Sequence, residues 1–570
     1  MPSYDLVIRG GHVIDGSGAD GFDADVAVRD SLIVEVGAVN GAGAEEIDAR
    51  DCLVTPGFVD LHTHYDGQVM WSDRLDPSSE HGVTTIVTGN CGVGFAPVRA
   101  DDHDRLINLM AGVEDIPEVV MAEGLTWQWE SFADYLDAAD SRPHDVDIAT
   151  LVPHSALRVY VMGDRAVRRE DASPDDIEQM AAHARDAVLA GAFGFGTSRA
   201  LQQRSASGEP IPSVRASEDE LRGILTEIAS TGRGVFQLLS DFYEFTDIDG
   251  EFAMLRRLVA DAGLPTMFTV NQKHSLPDGW RRLLDLTSAA AADGLPMTAQ
   301  VLGRPTGLLL GHELSLTPFS RCPTYAALAG LPIADKVAEL RRDEVRRRIL
   351  DEAQSHPEEP WHTRFELGDP PCYEPSPQDS IAARAARAGV TSAELGYDVL
   401  LHDDGRQLML HAMQNYARGS LDDCYEMLRH DRSVLGLGDG GAHLGLVCDA
   451  SFPTTMLSYW ARDRVRGPRL SVPDVVHALT RQAALALGLT DRGLVGVGCK
   501  ADLNVIDHDH LQERRPEVRH DLPAGGRRIV QHADGYVATV LSGHITRRDG
   551  EATGALPGHV VRSGTIAAQR

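Results

Sequence analysis

Lysine is nearly missing from this chain of 570 residues: only Lys273, Lys336 and Lys500 occur, and arginine supplies the rest of the 53 basic side chains. Chemistry that needs a lysine amine therefore has few places to sit. Positive charge is short as a whole, with 53 Lys+Arg against 85 Asp+Glu and a formal net charge of −32. A field of that sign repels phosphate backbones and anionic lipid, which argues against nucleic acid or a membrane surface as partner. No run reaches the roughly 18 apolar residues of a membrane helix. The opening Met1-Pro2-Ser3-Tyr4-Asp5-Leu6-Val7-Ile8 has no basic stretch followed by an apolar one. No signal peptide is read, and the cytoplasm is the expected location. The seven cysteines are widely spaced and form no CxxC pair, so a disulfide framework or a zinc site built from four cysteines is not expected.

Hydrophobic residues at 43% and charged residues at 24% are ordinary for a globular enzyme with a large core. The first ~55 residues alternate apolar and polar positions between Gly and Asp punctuation, as in Tyr4–Arg9, Asp25–Val28 and Leu32–Val36. That pattern predicts a small antiparallel sheet. Gly16-Ser17-Gly18-Ala19-Asp20-Gly21 fits GxGxxG, but no helical pattern follows it, so it reads as a turn. From Thr55 to about Leu487, short apolar runs (84–87, 148–152, 234–238, 266–270, 297–301, 433–437) alternate with helical patterns such as Asp175–Ala190 and Glu218–Ser230. Repeated strand–helix units predict an α/β fold with parallel strands, and over this length a (β/α)8 barrel is the economical closure. Residues 302–397, rich in proline, read as an insertion or lid. Its run Arg341–Arg348 carries interleaved acids and reads as a solvated helix face. Strand texture returns near residue 500. The expected division is 1–55 and 491–570 as one shared sheet domain beside a barrel of 56–490.

Three segments carry chemistry. Thr55-Pro56-Gly57-Phe58-Val59-Asp60-Leu61-His62-Thr63-His64 ends a short strand in His-x-His. Residues i and i+2 share a strand face, so both imidazoles can address one divalent ion. The other reading is a pair of partly buried histidines. Cys91 follows the β-branched run Val83–Thr88 among glycines, where a thiolate can ligate the same ion or a thiol can sit inert in a core. Asp439 lies in Gly436-Leu437-Gly438-Asp439-Gly440-Gly441 after the last predicted barrel strand. There it can serve as a base for a metal-activated water, or cap the next helix.

Taken with Asp5–Gly11, Pro56–Asp60, Gly89-Asn90-Cys91-Gly92, Ala96-Pro97-Val98, His154-Ser155-Ala156-Leu157-Arg158, Asp491-Arg492-Gly493 and Lys500–Leu503, these segments make the chain resemble the amidohydrolase superfamily. The resemblance is to its N-acyl-D-amino-acid deacylase (D-aminoacylase-like) branch and spans nearly the whole length. It implies a TIM-like barrel, a β-sandwich from both chain ends, and zinc-assisted hydrolysis of an amide in a small N-acylated substrate. It makes His62, His64, Cys91 and Asp439 the expected ligands of one divalent ion, taken as Zn²⁺, with Asp439 also the acid/base. A homo-oligomer is left open.

The chain departs from the branch in two places. Histidines expected after strands five and six are replaced by Phe236–Asp241 and Thr269–His274, although Lys273 matches a branch lysine. The segment after Asp439, His443–Ala450, lacks the arginine that would hold a substrate carboxylate. Arg158, Arg199 and Arg304 are the expected substitutes, since a guanidinium binds a carboxylate bidentately. His154 and Lys273 are expected near the oxyanion, and His154, His274 and His443 are reserve ligands. The rival readings are cyclic-amide hydrolysis, deamination of a heterocycle, or a metal-depleted barrel without catalysis.

Overall fold

The computed structural model describes residues 2–242 and 247–564; residues 1 and 565–570, the outer tips of the expected terminal segments, lie outside the described residues. The molecule is α/β. Eight short strands follow one another in chain order: β1 (Phe58–Asp60), β2 (Val83–Thr88), β3 (Asp147–Thr150, continued by Val152–Pro153), β4 (Gly194–Ser198), β5 (Val235–Leu239), β6 (Thr266–Thr269), β7 (Met297–Val301) and β8 (Ser433–Leu435). Each pairs parallel with the next. The last returns to the first just beyond their ends: Thr63 and Gly440 form a parallel bridge. The Asp439 N–H donates to the His62 carbonyl at 3.0 Å and the His64 N–H to the Gly440 carbonyl at 2.7 Å. That cyclic order is the one a (β/α)8 barrel requires. It places the residues after β1 beside those after β8, some 375 positions later.

Helices lie between the strands. Among them are α1 (His103–Val113), α2 (Pro174–Ala190) and α3 (Glu218–Ser230). Ser173 starts α2 with a capping box: its hydroxyl accepts the Asp176 N–H at 3.2 Å and Asp176 accepts the Ser173 N–H at 2.8 Å. Pro174 follows at a position whose N–H has no helical partner to lose. The helices bury Met180, Ala184, Leu221, Ile224 and Ile228 against the strands.

Both chain ends build a single nine-stranded sheet. Its path runs Glu551–Ala552, His544–Arg548, Tyr536–Leu541, Leu503–Ile506, Leu53–Pro56, Tyr4–Val13, Phe22–Arg29, Leu32–Gly37, with Gly43–Asp48 attached to Tyr4–Val13. The ends meet where Thr55 pairs antiparallel with Asn504. Leu6, Ile8, Val26, Val28, Val54, Leu503, Val505 and Val540 form its buried face. The predicted insertion contributes Gly307–Leu310 and Arg364–Glu366 to a three-stranded antiparallel sheet whose central strand, Met409–Ala412, lies beyond its expected end. It also holds the helix Asp343–Ala353, in which only Ile349 is buried. The basic run is thus a solvated face. Among the described residues no helix is long and apolar enough to cross a membrane.

Candidate active site

Strand geometry brings three sequence-distant segments to one point. His62 and His64, beyond β1, have rings 5.3 Å apart at 67° and are almost wholly buried. Cys91 follows β2 in the left-handed region, φ 54°. Its turn approaches β4 closely: a side chain at Gly196 would place its Cβ 2.2 Å from the Gly89 carbonyl oxygen. Asp439 follows β8, also left-handed at φ 48°, a conformation that aspartate and asparagine tolerate better than other residues. Cys91 Sγ lies 3.3 Å from His62 Nε2. Asp439 Oδ1 lies 3.5 Å from His62 Nε2 and 3.7 Å from His64 Nε2. Donor atoms of His62, His64 and Cys91 all fall within 4.8 Å of one another.

Two nitrogens and a sulfur at this separation form a donor set that fits a divalent ion of the zinc type, and the Asp439 carboxylate flanks both imidazoles. The surroundings prepare the donors. His62 Nδ1 meets Gln300 Oε1 at 2.9 Å, which leaves its Nε2 turned to the cluster. Gln237 Oε1 accepts the Cys91 N–H at 3.1 Å. Burial lowers the His64 pKa well below its ordinary value, so the ring is neutral and able to ligate. Burial, then Glu114 and Asp439, push the Cys91 thiol well up; a bound cation acts in the opposite direction and favours thiolate.

The donors stand in the wall of a cavity of about 270 Å³. Lys273, Arg204, Asn271, Thr269, Asp241 and His443 line it too. Lys273 thus shares a cavity wall with the donors. The other candidates do not line this cavity. His154 is fully buried between Thr197 Oγ1 at 2.8 Å and Glu220 Oε1 at 2.9 Å. Arg158 shares that Glu220. Arg199 is held by Glu251 at 2.7 Å. Arg304, 1% exposed, faces Asp449 at 3.2 Å and Glu513 at 3.4 Å. Arg158, Arg199 and Arg304, expected to meet substrate, do not line this cavity, and each guanidinium is already paired with a carboxylate. His274 faces the Ala412 carbonyl at 3.1 Å.

Two features of the site belong to no sequence motif. Glu114, just after α1, is buried with its carboxylate 3.5 Å from His64 Nδ1 and 3.5 Å from His443 Nε2. Arg204 sits on a hairpin closed by the Arg204–Pro210 bridge and turned at Gly208, φ 85°. Its guanidinium donates to the Gly208 carbonyl at 3.1 Å and, among the described residues, pairs with no carboxylate. The hairpin backbone presses onto α1 at Gly112, where a Cβ would lie 2.0 Å from the Ser205 carbonyl carbon.

Comparison with known proteins supplies the context. A family model described as "Amidohydrolase family" matches residues 45–547. An uncharacterized protein of Mycobacterium tuberculosis is 27% identical, with 97% of this chain and 93% of that protein covered. The N-acyl-D-aspartate deacylase of Alcaligenes xylosoxydans xylosoxydans is 27% identical over 98% of this chain and 95% of its own. Among solved structures, an N-acyl-D-glutamate deacylase from Bordetella bronchiseptica, complexed with zinc and a phosphonate inhibitor, superposes with a TM-score of 0.66. That match is at 21% identity and covers 98% of this chain and 100% of the other, a likeness of fold.

Proposed function

The chain belongs to the amidohydrolase family and is a metal-dependent hydrolase of amide C–N bonds; from that premise we propose that it deacylates an N-acyl amino acid of D configuration. The observation that carries the reading is the convergence of His62, His64, Cys91 and Asp439 in a cavity whose wall also holds Lys273 and Arg204. The deacylase names of the relatives support the D configuration. The reading takes the eight-strand ring as a (β/α)8 barrel of residues 56–490 with its active site at the C-terminal strand ends. Residues 1–55 and 491–570 make up a companion β-domain.

His62, His64, Cys91 and Asp439 would hold one divalent ion, zinc being the expected metal. When bound, such an ion polarises an acyl carbonyl and lowers the pKa of water toward about 7. Asp439 takes a proton from the attacking water and delivers it to the departing nitrogen as the C–N bond breaks and a C–O bond forms. Lys273 and Arg204 hold the anionic end of the substrate, so the scissile amide is presented to the donors rather than free to rotate.

Two measurements test this. Purified protein is expected to carry about one divalent ion per chain, to lose amide hydrolysis on chelation and to regain it with zinc. A panel of N-acyl-D- and N-acyl-L-amino acids, hydantoins and aminopurines is expected to show turnover of the first group. A metal-loaded protein that turns over only the cyclic or heterocyclic compounds sinks the deacylase reading. For Arg204, hydrogen bonds to charged groups contribute about 1.5–3 kcal/mol, so Arg204→Gln is expected to raise KM roughly 10–100-fold. The carboxamide analogue of the same substrate, which has no carboxylate to hold, is expected to be unaffected.

A further inference from the structure

We propose that Glu114 is a positioning residue with two grips: it orients His64 for ligation and latches the loop that carries Asp439. This rests on the metal reading above. Glu114 ends α1, its own N–H donating to the Met110 carbonyl at 2.9 Å, so its side chain leaves a fixed helical turn. It is 1% exposed.

The first grip is on the segment after β1. His64 Nε2 is turned to Asp439, 3.7 Å from Oδ1. The opposite ring nitrogen, Nδ1, is then the one that must carry hydrogen. His64 Nδ1 and Glu114 Oε1 are both buried without a hydrogen-bond partner among the described residues, and they face each other across 3.5 Å. A movement of a few tenths of an ångström makes the bond. A histidine ligand that donates its other N–H to a carboxylate has its tautomer and ring plane fixed and its basicity raised.

The second grip is on the segment after β8. Leu437, Asp439 and His443 all have positive φ, 66°, 48° and 49°, so this loop stores backbone strain and needs external ties. Glu114 supplies two of them: its main-chain carbonyl accepts the His443 N–H, and its Oε2 lies 3.5 Å from His443 Nε2. Its neighbour Asp115 continues the contact, accepting the Gly445 N–H at 3.2 Å and the Ser315 hydroxyl at 2.8 Å. One helix end thus holds both the strand-one ligand and the strand-eight loop at their working separation.

The test uses metal-stripped full-length protein. Zinc affinity is measured by chelator competition, cobalt absorption reports the ligand field, and thermal denaturation of the stripped protein controls for folding. Loss of an outer carboxylate partner typically costs 10–100-fold in metal affinity, so Glu114→Gln is expected to weaken zinc binding by that factor and to shift the cobalt spectrum. Glu114→Asp, which keeps the carboxyl group on a shorter arm, is expected to fall between the two and serves if the glutamine variant does not fold. Affinity and spectrum unchanged from wild type in both variants overturn the proposal. Wild-type protein that binds no divalent ion at all overturns the metal reading, and this inference with it.

Discussion

Asp439→Asn is expected to lower kcat by about 10²–10⁴-fold, the usual share of a positioned acid/base. Asparagine is the informative replacement because Asp439 sits at φ 48°. Asparagine tolerates that left-handed backbone, whereas alanine would add strain to the loss of charge. The variant keeps a carbonyl oxygen near His62 and His64 but cannot take a proton from water or return one to the leaving nitrogen. Metal content must be measured alongside, since Asp439 Oδ1 also lies 3.5 Å from His62 Nε2 and faces the donor set. A variant that retains its ion and loses kcat isolates the proton-transfer role. One that retains both ion and kcat removes Asp439 from the chemistry and leaves it a loop residue.

The parts of this site that were legible in the sequence are those governed by local periodicity. His-x-His at a strand end needs only the alternation of side chains to bring two imidazoles to one face, and the rings do stand 5.3 Å apart. A turn after a β-branched run located Cys91, and glycines after the last run located Asp439. The features passed over depend on contacts across tens or hundreds of positions. Glu114 belongs to no motif and lies 50 residues past His64; only its approach to His64 beyond β1 and to His443 beyond β8 gives it meaning. Gln300, 238 positions from His62, is likewise an ordinary residue in a strand pattern. The pairing of the arginines is hidden in the sequence for the same reason. A guanidinium in a sequence looks free, whereas Arg158, Arg199 and Arg304 find carboxylates 62, 52 and 145 residues away, at Glu220, Glu251 and Asp449. β4 gives little strand signal because glycine is unfavourable in strands. Here Gly194-Phe195-Gly196 is required by close approach: a Cβ at Gly194 would meet the Val235 carbonyl oxygen at 1.9 Å.

The largest stability effect is expected where the terminal sheet is tied to the parallel strands. Asp147 on β3 is fully buried. It receives Arg492 at 2.6 Å and Lys500 at 2.9 Å, both from the segment leading into the strand Leu503–Ile506. Asp491 at 3.1 Å from Arg492 and Asp502 at 2.6 Å from Lys500 complete the cluster. An exposed pair such as Arg50–Asp48 is screened by solvent and contributes little. Removing one partner of a buried pair costs about 3–5 kcal/mol, because the remaining charge is stranded. Asp147→Asn strands Arg492, 3% exposed as a side chain, though Asp491 and Asp502 still compensate part of it. The expected loss is therefore near the lower end, about 3 kcal/mol, read from denaturant midpoints. The same cluster sets an acid limit. Burial works against the Asp147 charge, but Lys500 and then Arg492 outweigh it and hold the carboxyl below the ordinary range. A depressed folded-state pKa means that this stabilisation is fully present above the unfolded value of about 4 and fades as pH falls below it. Wild type is expected to lose more stability than Asp147→Asn between about pH 5 and pH 2, so the two stability curves converge on acidification. Curves that stay parallel would place the ionisation of Asp147 outside the folding equilibrium and reduce the cluster to packing.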